Sequence, residues 1–166
     1  EARREKLIEI LKNSSVPVSG SMLSKKLGVS RQVIVQDIAL LRAVNKNILS
    51  TTKGYILYSH DDKKCNRTYL VKHTNAQIRD ELYTMVDCGG QVLDVIVEHD
   101  VYGTITVDLI LKNRLDVDEF IDKLESSKAG PLNKLTNGVH IHTVEADNED
   151  ILDKIEIKLR EKGYLL

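Results

Sequence analysis

At 166 residues, 42% apolar and 30% charged, the chain has the make-up of a soluble globular protein, long enough for one domain or two small ones. No apolar run reaches membrane-spanning length, and the opening residues Glu1-Ala2-Arg3-Arg4-Glu5 lack the pattern of a signal peptide. The net charge of −1 conceals an asymmetry: residues 1–58 hold ten Lys/Arg against four Asp/Glu, and residues 59–166 hold fourteen against twenty-one.

A basic N-terminal third on a larger acidic body is expected to meet a polyanion. The polar run Ser59-His60-Asp61-Asp62-Lys63-Lys64 reads as a boundary, so the chain divides into a head over 1–58, a linker over 59–66 and a body over 67–166. Cys65 and Cys88 share no CxxC spacing and imply no disulfide framework, which points to a reducing, cytoplasmic setting.

Leu7, Ile8 and Leu11 recur at helical spacing and predict a helix from about Ala2 to Lys12, stopped by Asn13-Ser14-Ser15-Val16-Pro17. Ser19 is placed to cap a second helix whose inner face carries Met22, Leu23 and Leu27, and Gly28 suits the left-handed position after it. Ser30 then caps a third helix with Ile34, Ile38 and Leu41 inside. Two helices joined by a short glycine-containing turn form the helix-turn-helix pattern. The outer face of the third helix offers Arg31, Gln32, Val35 and Gln36: donors for guanine and adenine edges, and a methyl-bearing side chain for thymine. Beyond it, Ile48 to Thr51 and Tyr55 to Tyr58 flank Thr52-Lys53-Gly54, a hairpin with a basic tip that reads as the wing of a winged helix. Lys25, Lys26 and Lys53 are candidates for phosphate contact, although each alone is equally well a solvated surface lysine.

The body opens with a strand, Arg67 to His73, followed by a helix, Asn75 to Asp87, whose stripe is Ile78, Leu82, Met85 and Val86. Leu93, Val95 and Val97 alternate, and so do Ile105, Val107, Leu109 and Leu111 after the Asp100 to Gly103 turn. A helix from Asp116 carries Val117, Phe120, Ile121 and Leu124 inward, with Asp116 and Glu119 resembling a capping box. The strand Val139 to Ala146 and a closing helix with Ile151, Leu152, Ile155 and Leu159 complete a βαββαβα order. The fold class is therefore α+β: a winged helix-turn-helix followed by a ferredoxin-like split-βαβ domain.

His140 and His142 project to one face of their strand, and imidazole is the commonest protein metal ligand. His73 ends the first strand of the body, which that fold brings near the last. Glu81 stands about 60° from Ile78 on its helix, against the apolar stripe, where a carboxylate needs a partner. Three imidazoles and one carboxylate suit a transition metal. The competing readings are surface histidines for the strand residues and a rim salt bridge for Glu81.

The stretches Gly28-Val29-Ser30-Arg31-Gln32-Val33-Ile34-Val35-Gln36-Asp37, His73 with Glu81, Glu98-His99-Asp100-Val101-Tyr102-Gly103, and Leu135-Thr136-Asn137-Gly138-Val139-His140-Ile141-His142-Thr143 resemble the nicotinate-responsive transcription repressors of bacteria. The resemblance covers essentially the whole chain. It implies a homodimer on double-stranded operator DNA that represses genes of NAD biosynthesis or niacin uptake, with nicotinic acid as co-repressor. It further implies a divalent metal, nickel or zinc, at His73, Glu81, His140 and His142. His99 and Tyr102 are assigned to effector binding; Asp100 departs from the family pattern, which has Pro there, and for His99 a structural role capping the turn is an equal alternative. Two other function classes stay open: a metal-dependent hydrolase of a small substrate bearing a winged helix, and an amino-acid-sensing regulator.

Overall fold

Ser19 and Ser30 each begin a helix of the head, their hydroxyls accepting from the main-chain N–H groups of Met22 (3.1 Å) and Val33 (3.3 Å). In the computed structural model, which describes residues 1–44, 47–59, 61–128 and 130–166, these are α2 (Gly20–Leu27) and α3 (Arg31–Ala43), preceded by α1 (Ala2–Lys12). Gly28 closes α2 with φ 65°, in the left-handed region. Leu7, Leu11, Leu23, Ile34, Ile38 and Leu41 meet in one core with Val18 and Ile48. Met22, expected inside, is exposed; the face of α2 that turns inward is centred on Leu23, which is fully buried.

Asp37 on α3 is also buried, and the Arg3 guanidinium donates to it twice, at 2.6 and 3.1 Å, tying α1 to α3. Those hydrogen bonds hold its carboxyl below the usual range. The wing is β1 (Ile48–Thr51) and β2 (Gly54–Leu57), with Thr51 opposite Gly54 and Thr52-Lys53 at the tip. An isolated bridge from Val18 to Tyr55 fastens the wing to the segment before α2.

The chain divides into two units, Glu1–His60 and Asp61–Leu166. The expected linker includes His60, which lies outside the described residues; after it, the amides of Lys63 and Lys64 donate back to Asp61, making a turn. The second unit runs β3 (Cys65–Lys72), α4 (Ile78–Asp87), β4 (Gln91–His99), β5 (Gly103–Leu111), α5 (Arg114–Ser126), β6 (Val139–Ala146) and α6 (Glu149–Glu161). Short 3₁₀ turns stand at Asn75–Gln77 and Leu132–Thr136. β3 begins at Cys65, before the expected Arg67, because β6 continues to Ala146 and pairs with it there.

The four strands form one antiparallel sheet in the order β3-β6-β4-β5. Each βαβ crossover is split by one antiparallel strand: β6 lies between β3 and β4, and β4 between β5 and β6. The sheet keeps the split-βαβ principle, with the unit's second and fourth strands at its centre. Its inner face, including Tyr69, Val71, Leu109 and Val144, packs against Leu82 and Met85 of α4, Val117 of α5, and Leu152, Ile155 and Leu159 of α6.

Two local expectations fail for identifiable reasons. Val92 rather than Leu93 enters the core, because the β4–β5 register shifts between Val92 and Asp94, near Ile110 with its φ of 55°. Helix α5 starts at Arg114 under an Asn113 cap, whose side chain accepts from the Asp116 amide at 2.9 Å. Asp116 is thus inside the first turn and accepts from the Lys112 amide at 3.0 Å instead of opening a box with Glu119. After α6, the Lys72 amide donates to the Tyr164 carbonyl and the Leu166 amide to the Leu70 carbonyl, so the C-terminal residues line the free edge of β3. Among the described residues, no helix is long and apolar enough to cross a membrane.

Candidate metal centre and nucleic-acid interface

His73 follows β3 with the same inward parity as Tyr69 and Val71, and β6 lays His142 opposite Tyr69 and His140 opposite Val71. The helix α4 delivers Glu81 from the other side in its first turn, fully buried. Gly138 joins these pieces. It has φ 88°, and a Cβ there would stand 2.7 Å from the His73 carbonyl oxygen, so the entry to β6 lies directly on the backbone of His73.

All three imidazoles are buried, and each is oriented by a backbone carbonyl. Nδ1 lies 2.8 Å from the Thr74 oxygen in His73, 2.8 Å from the Gly138 oxygen in His140 and 2.6 Å from the Asp94 oxygen in His142. A carbonyl only accepts, so each Nδ1 carries the proton; a neutral ring then keeps its lone pair on Nε2, and a ring protonated on both nitrogens donates from Nε2 to Glu81. Those Nε2 atoms converge on one carboxylate: His142 at 2.6 Å and His140 at 3.2 Å from Glu81, with His73 in direct contact. The ligand atoms of His73, Glu81 and His140 lie within 4.8 Å of one another, and His142 joins them through Glu81.

Lone pairs facing a carboxylate repel unless positive charge lies between them. His73 Nε2 is buried without a hydrogen-bond partner among the described residues, the condition a cation would relieve. Three imidazole nitrogens and one carboxylate oxygen form a donor set that fits a divalent transition metal, and the carbonyls that orient each ring are already in place.

In the metal-free chain, protons on the imidazoles supply that positive charge instead. Burial alone would raise the Glu81 carboxyl, but the charge and hydrogen bonds of His142 and His140 outweigh it and hold the group at about 2. Burial pushes His142 down, yet Glu81 raises it further and the net direction is up, whereas burial dominates at His73 and lowers it. In the metal-free chain, depressed Glu81 contributes stability that is present above its ordinary 4.5 and is lost as pH falls through its folded value. Raised His142 contributes stability that is present below 6.5 and is lost as pH rises through its folded value. The melting-temperature difference between the metal-free chain and its Glu81→Gln variant is therefore expected to be largest between pH 4.5 and 6.5. A difference that keeps growing toward alkaline pH would contradict the pairing.

A cavity of about 250 Å³ adjoins the four residues, all of which line it. Its other walls are Ile78, Leu82, Val95, Val107, Leu109, Phe120 and Leu124, closed by Gly130-Pro131-Leu132-Asn133. Among the described residues, no Lys or Arg lines it. His99 and Tyr102 are not among its walls. They occupy the β4–β5 hairpin, where His99 Nδ1 accepts from the amides of Val101 (3.1 Å) and Tyr102 (3.2 Å), and the ring stacks on exposed Tyr102. The geometry here is that of the turn-capping alternative.

Sequence reasoning missed Asp94, which acts through its main-chain carbonyl and so leaves no side-chain signal. It also missed Asn133, on the turn that closes the cavity, and Tyr164, whose ring lies 5.5 Å from His73 and whose hydroxyl donates to Asp80 at 2.7 Å.

In the head, Arg31, Gln32, Val35 and Gln36 lie exposed along the outer face of α3, with Ser30 at its start. Lys25 and Lys26 end α2 and Lys53 stands at the wing tip, all three exposed. The described head thus presents the surface expected of a DNA reader.

The model of the HTH domain matches residues 3–56, and that of the 3H domain matches residues 66–166. The probable transcription repressor NiaR of Thermotoga maritima is 42% identical over 166 residues, covering 100% of this chain and 94% of its own length. The transcription repressor NadR of Bacillus subtilis is 40% identical over 167 residues, covering 99% of this chain and 93% of its own. The chain belongs to the NiaR/NadR family of transcription repressors. The NiaR and NadR relatives are named as repressors and not as enzymes, which removes the hydrolase from the function classes left open by the sequence. In NiaR/NadR terms, the helix-turn-helix half is the DNA-binding part and the candidate metal centre lies wholly within the 3H half.

Proposed function

We propose that this repressor binds double-stranded operator DNA as a homodimer, holds a divalent metal in its 3H half and takes nicotinic acid as co-repressor, controlling genes of NAD biosynthesis or niacin uptake. The observation that carries the reading is the convergence of three tautomer-locked Nε2 atoms and Glu81 at a wall of a mostly apolar cavity. His73, Glu81, His140 and His142 would hold nickel or zinc, and the metal would supply a Lewis-acid anchor for a carboxylate or ring nitrogen. Phe120 and the aliphatic walls suit a planar ring. An amino-acid effector is less well served, because Glu81 is the only carboxylate side chain in the cavity wall among the described residues and the imidazoles already engage it.

Two recognition helices on a two-fold axis would enter successive major grooves, and the effector would act by favouring that spacing. Fluorescence anisotropy of the metal-loaded chain on promoter DNA is the test. Nicotinate is expected to tighten binding by about ten-fold or more, a typical coupling. Equal affinity with and without it would remove the co-repressor. In the same assay Gln36→Ala should relax base preference, while Lys53→Ala should lower the salt slope by about 1 with preference unchanged.

A further inference from the structure

Asn133 is buried, only 4% exposed, and lines the cavity beside the four candidate ligands. Its side-chain oxygen has no hydrogen-bond partner among the described residues. Orphaned buried polar atoms are rare in folded proteins and call for a reason. Loose packing of the turn is not the reason, because the main chain of Asn133 is fixed: its carbonyl accepts from the Gly138 amide at 2.9 Å and from the Thr136 hydroxyl at 3.3 Å. Gly138 in turn abuts His73, so Asn133 is held in register with the candidate metal centre.

Among the described residues, the remaining walls of the cavity, apart from the three histidines and Glu81, are apolar side chains and Gly130. Once a metal takes one polar group of a small ligand, a second polar group on that ligand has one uncommitted side chain to meet. An amide suits that task for either kind of group: its oxygen accepts from a donor, and turned over its NH₂ donates to a carboxylate or ring nitrogen. We propose that Asn133 is the specificity residue of the cavity, reading the polar group of a planar ring ligand that the metal does not take. This rests on the effector reading given above and adds to it a residue that discriminates between ligands.

The test measures nicotinate, benzoate (no ring nitrogen) and pyridine (no carboxylate) binding by calorimetry to the full, metal-loaded chain and to its Asn133→Ala and Asn133→Ser variants. Neither substitution removes a hydrogen bond recorded in the fold, and metal content by elemental analysis should stay at the wild-type level. The variants are expected to lose about ten-fold or more in nicotinate affinity, the size of a hydrogen bond to a charged or buried group. They should leave unchanged the analogue that lacks the group Asn133 reads. Unchanged nicotinate affinity, or an equal loss for all three compounds, would overturn the role of Asn133 alone. Failure of the wild-type chain to bind nicotinate at all would overturn the effector reading and this inference with it.

Discussion

Replacing Glu81 by Gln is expected to reduce affinity for a divalent metal by on the order of 100-fold or more and to abolish any response of DNA binding to nicotinate. The substitution keeps shape and hydrogen-bonding capacity but deletes the one negative charge that balances a cation among three imidazoles. At neutral pH the variant should stay folded, because the rings can remain neutral in the tautomer set by Thr74, Gly138 and Asp94. DNA affinity without effector should be unchanged, since the candidate DNA contacts lie in the other unit. Elemental analysis together with anisotropy checks both halves. Wild-type metal content in the variant would remove Glu81 from the ligand set.

Gly138→Ala should be far more damaging than Gly103→Ala. The methyl would meet the His73 carbonyl oxygen at 2.7 Å, and φ 88° is already costly for any L side chain. The backbone conformation alone costs about 1–3 kcal/mol, and relief of the clash must shift the segment that carries His140. A fall in melting temperature of roughly 10 °C or more is expected for a unit of this size, with loss of metal. Gly103→Ala is the control: it has φ 75° but nothing within 4 Å of the added carbon. If both variants lose the same stability and both keep metal, the close approach at His73 is unimportant.

The head could be read from sequence because its determinants are local. Ser19, Gly28 and Ser30 act within a turn of where they stand, and the period of Leu7, Leu11, Ile34, Ile38 and Leu41 needs no distant partner. The pairing of Arg3 with Asp37 was invisible for the opposite reason: 34 positions separate the two residues. In the body, alternation revealed the strands, but the slip at Val92 depends on how β5 lies alongside. The four candidate ligands could be singled out by type and face. Their orientation could not, because the groups that aim the imidazoles are backbone carbonyls, which every residue possesses. Asn133 was missed because an asparagine in a turn ordinarily serves its own backbone.

The placement of these candidate ligands has a consequence for how the second unit holds together. Glu81 lies on α4 and His140 on β6, 59 positions apart along the chain. A cation bound by both segments would close a long covalent loop, much as a cross-link does, except that a chelator could open it. The edge of β3 also carries the C-terminal residues through Lys72 and Leu70. His73 adjoins Lys72, so a cation bound there would also brace the strand edge that fastens the chain's last residues, and a chelator should loosen both together.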